Sequence, residues 1–203
     1  NNGYDYFASN ISNYPDTDEI FEYEEFLDAY TAGMKVDGYF TPYLNDNMPP
    51  DWQLTNAAGI LQLLFNNSTI PFIWIDIDPN TNWSQNKTIN QQVLQSMINA
   101  SYDNPDLLYN DTTSGVSIPI GIRSSYNAWD RIFGLNYVQL DATGLKLPLW
   151  WIRWNGKQDL GNDPDWKDFG GWTKGDIIMH QYAGNVQNTQ CNLKNLNYNF
   201  YLN

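Results

Sequence analysis

The run Ile70-Pro71-Phe72-Ile73-Trp74-Ile75-Asp76-Ile77-Asp78 places two carboxylates two residues apart at the end of a nearly unbroken apolar segment. In a strand, side chains i and i+2 share a face, so Trp74, Asp76 and Asp78 point one way and Ile73, Ile75 and Ile77 the other. The two acids are then about 6.6 Å apart along the backbone, from two residues at roughly 3.3 Å each. Like charges held close in a partly apolar site push their proton affinities apart, leaving one group protonated as an acid while its neighbour stays ionised. Cleavage of a glycosidic bond uses such a pair, and this separation is compatible with the carboxylate spacings of glycosidases. The alternative reading is that the two acids cap a strand and bind solvent or a divalent cation.

The aromatic residues supply context for that pair. Nine Trp and 14 Tyr are more than a small core needs, and Tyr39, Tyr43, Trp74, Trp83, Trp150, Trp151, Trp154, Trp172 and Tyr182 fall at predicted strand ends or loops. Sugar rings stack their apolar faces on aromatic rings and leave their hydroxyls to Asn, Asp and Gln at the rim, so part of this set fits a carbohydrate cleft and the larger part fits a core. His180 is the only histidine, which excludes a His-based zinc site and leaves any Ser-His-Asp triad to that one ring. Beside Gln181 and Tyr182 it reads as a hydrogen-bonded barrel-end residue.

Elements that can position these residues are legible in the periodicity. Ile20, Phe21, Tyr23, Phe26, Leu27, Tyr30 and Met34 recur at spacings of three and four behind the N-cap candidates Asp16, Thr17 and Asp18, with Gly33 at the end. The same period covers Asp51 to Phe65, Ile89 to Ile98 and the shorter Tyr126 to Phe133. Strand-like runs are Tyr4 to Asn10, Val36 to Leu44, Ile70 to Asp78, Val116 to Ile122, Leu147 to Trp154, Ile177 to Tyr182 and Asn197 to Leu202, with a long Gly-rich loop from Asn155 to Gly171. Strands alternating with helices predict a parallel sheet. No glycine-rich phosphate loop follows the first strand, so a TIM-like (β/α) barrel is favoured over a doubly wound sheet, with active residues at the strand ends.

Composition narrows the partners. The 203 residues bound one domain, and ten Lys+Arg against 23 Asp+Glu give a net charge of −13, which argues against nucleic acid. No apolar run approaches the roughly 20 residues of a membrane span. Seven N-x-[ST] sequons, at Asn10, Asn66, Asn67, Asn82, Asn86, Asn99 and Asn110, favour the secretory route. The single cysteine, Cys191, cannot make an internal disulfide, so in a secreted chain it is either free or a disulfide candidate toward something outside these residues.

Trp74-Ile75-Asp76-Ile77-Asp78 is similar to a strand-borne D-x-E motif, Pro148-Leu149-Trp150 with Trp154 to a P-L-W strand, Phe169-Gly170-Gly171-Trp172 with His180-Gln181-Tyr182-Ala183-Gly184 to a W…QYAG segment, and Leu196-Asn197-Tyr198-Asn199 to a V-D-x-N strand. In this order they resemble the family-25 glycoside hydrolases, the Chalaropsis-type lysozymes, and most closely their secreted eukaryotic branch. The resemblance covers nearly the whole chain. It implies a muramidase that cleaves β-1,4 bonds of peptidoglycan without a cofactor, with Asp78 as general acid, Asp76 as its electrostatic partner, and Tyr43, Trp74, Trp150, Trp154, Tyr182 and Asn197 lining the glycan cleft. Its location would be extracellular or a lysosomal or phagosomal lumen.

The motif is degenerate in three ways. Asp at the acid position withdraws the carboxyl by one C–C bond, and a misplacement near 1 Å can cost on the order of 10²-fold in rate. Asn197 replaces an ionisable aspartate. The family's first strand has no counterpart, so residues 1–203 are expected to form a single barrel domain that is N-terminally incomplete, with an upstream cysteine as the partner of Cys191. A competing expectation is therefore a catalytically impaired protein of the same fold that binds glycans or joins an extracellular assembly. The acidic net charge leans the same way, because peptidoglycan is itself anionic.

Overall fold

The computed structural model describes residues 4–11, 20–44, 49–65, 71–103, 119–160, 163–188 and 193–201. Its elements follow one another as β1 (Tyr6–Asn10), α1 (Ile20–Thr31), β2 (Lys35–Phe40), α2 (Pro50–Phe65), β3 (Ile73–Asp76), α3 (Lys87–Asp103), β4 (Ile120–Ser124), α4 (Tyr126–Ile132), β5 (Leu149–Ile152), a 3₁₀ turn (Lys174–Asp176), β6 (Ile177–Asn188) and β7 (Leu193–Tyr201). Every element expected from periodicity is present. The caps proposed for α1 at Asp16, Thr17 and Asp18 lie outside the described residues, as do Cys191 and the sequons at Asn66, Asn67 and Asn110. Gly33 ends α1 as expected, in the left-handed region at φ 83°, with Met34 N–H donating back to the Ala29 carbonyl at 3.1 Å.

Seven strands form one sheet in the order of the chain, β1 to β7. The first six run parallel, joined in register through Tyr39 with Trp74, Asp76 with Arg123, Arg123 with Trp150, and Trp150 with Met179. The expectation of a parallel sheet throughout is corrected at its end, because β7 is antiparallel to β6. Only residues 189–192 separate these two strands. A parallel crossover needs a dozen or more residues, so a link this short can only make a hairpin.

The barrel expected to lack its first strand is a curled, open sheet. Strands β1 and β7 are the two ends of the sheet and share no ladder. The sheet curls until side chains meet across the seam, Tyr6 stacking on Tyr201 at 5.3 Å and Tyr4 on Tyr198 at 5.8 Å between ring centroids. The architecture is thus an open, curled sheet with helices on its outer face.

Alternation along the strands sorts residues between two cores. Ile73, Ile75, Ile77, Ile120, Ile122, Leu149, Trp151 and Ile177 join the helical residues Leu54, Leu61, Leu94, Met97 and Trp129 in the outer, larger core. Trp74, Trp150 and Met179 form the inner one, with Tyr6, Tyr39, Phe72 and Tyr201 packed around them. The Trp74 and Trp150 rings meet edge to face at 5.6 Å, and the Trp74 ring lies over Gly121, its register partner on β4. A Cβ at position 121 would collide with that ring. Gly121→Ala should therefore lower unfolding free energy by about 1–3 kcal/mol in urea titrations, the usual effect of forcing a methyl into a filled core.

Candidate active site

Residues from five adjacent strands converge on the inner face toward the carboxyl ends of β2 to β6. Asp76, the last residue of β3, and Arg123, its register partner on β4, form a buried ion pair with Oδ1 and Nη1 2.5 Å apart. Thr41, just past β2, donates its hydroxyl to Asp76 Oδ2 at 3.2 Å, and Arg123 Nη2 donates to Gln181 Oε1 of β6 at 3.2 Å. The guanidinium lies between two rings, 5.1 Å from the centroid of Tyr39 and 5.0 Å from that of Trp150. Such cation–π contacts are each worth about 0.5–2 kcal/mol, the upper end applying where water is excluded.

Asp76 is as buried as its neighbours require. Burial raises its carboxyl above the ordinary range, the Arg123 guanidinium pulls it back, and the charge of Asp78 adds a smaller upward push. Asp78 is in a different environment. Its strand ladder ends where Ile77 N–H donates to the Arg123 carbonyl, so Asp78 enters the turn that follows and is only half-buried. Its Oδ1 accepts from Asn80 N–H at 2.8 Å and from Asn80 Nδ2 at 2.9 Å, and its carbonyl accepts from the Thr81 hydroxyl and the Trp83 indole N–H. One carboxylate of the predicted pair is thus locked in an ion pair and the other faces the solvent side through its own Asx turn.

The expected glycan-binding aromatics divide between core and rim. Trp74 and Trp150 are 0% and 1% exposed, which corrects their assignment to the cleft lining: neither ring has a free face for a sugar. Their polar edges are spent inside, Trp74 Nε1 on Asp37 and Trp150 Nε1 on Asn199, each at 3.0 Å. Trp154 is 56% exposed and lies flat on Gly184, whose hydrogen leaves room for the indole that a Cβ would not. Its Nε1 donates to the same Gln181 Oε1 that receives Arg123, tying an exposed ring to the buried centre. Tyr43 is 39% exposed on the segment after β2, its backbone clasped by both ends of the Gln53 amide at 2.7 Å. Tyr182 and Asn197 do not join the centre. They line a cavity of about 330 Å³ along the β1–β7 seam with Tyr4, Gln158 and Tyr198.

Three groups that matter here were not singled out from sequence: Arg123, Thr41 and Asp37. Asp37 lies on the inner face of β2, two residues before Tyr39, and accepts from the Tyr6 hydroxyl at 2.7 Å, the Trp74 indole at 3.0 Å and Phe72 N–H at 3.0 Å. An isolated charge inside an otherwise apolar strand was the available signal for both Asp37 and Arg123. His180 is wholly structural, buried against Trp151 with its ring nitrogens facing the carbonyls of Asp159 and Arg153 at 2.6 and 2.9 Å. It pins the long loop after β5, which Asp163 also holds through Arg153, Asn155 and Asp165 N–H. Among the described residues no three His, Cys, Asp or Glu gather to hold a metal ion, and no helix is long and apolar enough to cross a membrane.

Residues 8–182 match the family model described as Lysozyme-like protein 1. The chain belongs to this family. That membership agrees with the resemblance to family-25 glycoside hydrolases read from the four motifs. The lysozyme-like chain is 26% identical to Lysozyme-like protein 5 of Caenorhabditis elegans over 163 residues, 76% of this chain and 62% of that protein. It is also 26% identical to Lysozyme-like protein 2 of the same nematode, over 81% of this chain and 53% of that protein. It therefore spans less than two thirds of the length of these relatives. In fold it is similar to a muramidase from Trichobolus zukalii, with a TM-score of 0.59 and 17% identity over 98% of this chain and 81% of that one. A muramidase from Acremonium alcalophilum gives a TM-score of 0.54 and 15% identity, with the same coverage.

Burial holds the Asp37 carboxyl above the ordinary range, outweighing the pull of the Trp74, Tyr6 and Phe72 hydrogen bonds. The folded state then binds that proton more tightly than the unfolded chain, so Asp37 favours folding at low pH and this contribution is lost as pH rises through its raised value. Melting temperatures followed upward from the ordinary carboxylate range should rise less with pH, or fall more, in wild type than in Asp37→Asn. Parallel curves would show that Asp37 does not titrate differently in the two states.

Proposed function

We propose that this lysozyme-like protein acts on β-1,4-linked amino-sugar glycans such as peptidoglycan, at the carboxyl ends of β2 to β6, as a slow hydrolase. The observation that carries this reading is the position of Asp78: a half-buried carboxyl in the turn after β3, on a fold shared with muramidases, beside the buried Asp76. Asp78 would give its proton to the glycosidic oxygen as the C–O bond breaks, and water would add to the anomeric carbon, passing its proton to the carboxylate left on Asp78. Trp154 would stack on a sugar ring, with Tyr43 at the opposite rim.

One observation favours a second reading, glycan binding without turnover. Asp76 is neutralised by Arg123 and so does not act as the free charged neighbour that a two-carboxylate mechanism sets beside its acid. Reducing-end release from peptidoglycan separates the two. The hydrolase reading expects slow release by wild type, a fall of at least about 100-fold in Asp78→Asn, the low end of a general acid's contribution, and a gain in Asp78→Glu. Glycan bound with no product from wild type would establish the second reading.

We also propose that the protein is secreted or enters a lysosomal or phagosomal lumen. Support comes from the sequons: Asn82, Asn86 and Asn99 are exposed, within or just before α3, so sugars added there meet no packed surface. Expression through a secretory pathway followed by enzymatic deglycosylation should reduce the mass of the protein. An unchanged mass would argue against this route.

A further inference from the structure

Resting on the reading that this site takes glycan, with or without turnover, we propose that Gly184 and Gln181 are positioning residues that fix the Trp154 ring as a platform for the apolar face of a sugar. Both lie on β6, and each constrains the ring in a different way. Gly184 is the seat. A Cβ at position 184 would collide with Cζ2, Cε2 and Cη2 of the indole together. Three adjacent ring carbons can be met at once only from above the ring, so one face of Trp154 lies on the backbone of β6. Trp154 is nonetheless 56% exposed, which leaves the opposite face to meet solvent.

Gln181 is the tether. It is 2% exposed, and its Oε1 accepts from Trp154 Nε1 at 3.1 Å and from Arg123 Nη2 at 3.2 Å. Two donors on one oxygen use both of its lone pairs and fix which way round the amide lies. Arg123 is itself held between Tyr39 and Trp150, so the oxygen offered to the indole is fixed in turn. The backbone adds a third constraint on either side of Trp154. Arg153 N–H donates to the Gln181 carbonyl and Gly156 N–H to the Tyr182 carbonyl, each at 3.0 Å.

A single exposed apolar side chain needs no explanation on a protein surface. Here, however, a buried amide is committed to an N–H that water could have satisfied, for a ring that stays more than half wet. Burial of the indole does not account for that arrangement, whereas preorganisation does: rotamer freedom that a stacking ligand would otherwise remove is already absent. The open face is the electron-rich one that polarised C–H groups of a sugar ring meet. It stands at the mouth of the inner centre, linked through Gln181 and Arg123 to Asp76.

Equilibrium binding of soluble, uncrosslinked peptidoglycan strands to the full chain, followed by isothermal titration, tests this with Gly184→Ala and Gln181→Met. Each is made both in wild type and in a Trp154→Ala chain, and each is first shown to be folded by its melting transition. Trp154→Ala is expected to raise Kd at least about tenfold, as truncation of a dominant Trp contact does. Gly184→Ala and Gln181→Met are each expected to raise Kd at least about threefold when the ring is present and to leave it unchanged when the ring is absent. The atoms nearest a Cβ at position 184 are all on the indole, so Gly184→Ala carries the test should Gln181→Met fail to fold.

A purely structural role would lower the melting temperature and change Kd by the same factor in both backgrounds. A folded Gly184→Ala or Gln181→Met chain that binds as tightly as wild type, or that loses the same factor without Trp154, would overturn the proposal while the glycan reading stands. Failure of the glycan reading is seen separately, as a wild-type chain that binds no strands, and the proposal falls with it.

Discussion

Asp76 and Arg123 stand in register on neighbouring strands, at a depth where a single unpaired charge would be severely penalised by the loss of water. The surrounding structure is arranged to meet that constraint. Strand β2 and the residue just past it bring Tyr39 and Thr41, β5 brings Trp150, and β6 brings Gln181, so that three strands place groups against the pair that β3 and β4 carry. Because the side chains of a strand alternate, these same positions commit the intervening residues to the helix-covered face. The inner polar centre and the outer apolar core are therefore two consequences of one register.

The same centre reaches outward through a short chain of contacts. Gln181 receives both Arg123 and the Trp154 indole, so the position of an exposed ring depends on a buried cation. Trp74 links in the other direction: its nitrogen bonds to Asp37, and its ring fills the space left by Gly121 and packs on Trp150. Aromatic residues that look like a sugar-binding surface in the sequence are here the packing that keeps two charges dry. Of the aromatic residues near the centre, Trp154 and Tyr43 keep exposed rings at the rim.

The seam between β1 and β7 shows how far side chains can substitute for backbone pairing. Two tyrosine stacks bridge the ends of the sheet and leave a cavity of about 330 Å³, lined by Tyr182 and Asn197. Motif order, and for Tyr182 its aromatic ring at a strand end, assign these two residues to the glycan cleft. Linear order could not separate two sites that are adjacent along one strand: Gln181 belongs to the centre and Tyr182, pointing the other way, belongs to the seam.

Much of the fold was legible in the chain itself. Periods of three to four and of two marked α1 to α4 and the strands, and the apolar run ending at Asp78 located β3, because local periodicity reflects which face of an element must be buried. Family membership was legible for a related reason, since short motifs on successive strands keep their order. The tertiary structure alone decided the state of the site. Whether Asp76 is a free carboxylate depends on Arg123, 47 residues along the chain and brought alongside only by the β3–β4 register. Closure depends equally on contacts distant in sequence, with a short link turning β7 antiparallel and tyrosine rings meeting across the sheet edges. Charge pairing and edge pairing are long-range interactions, and no local pattern of residue types encodes which partners will meet.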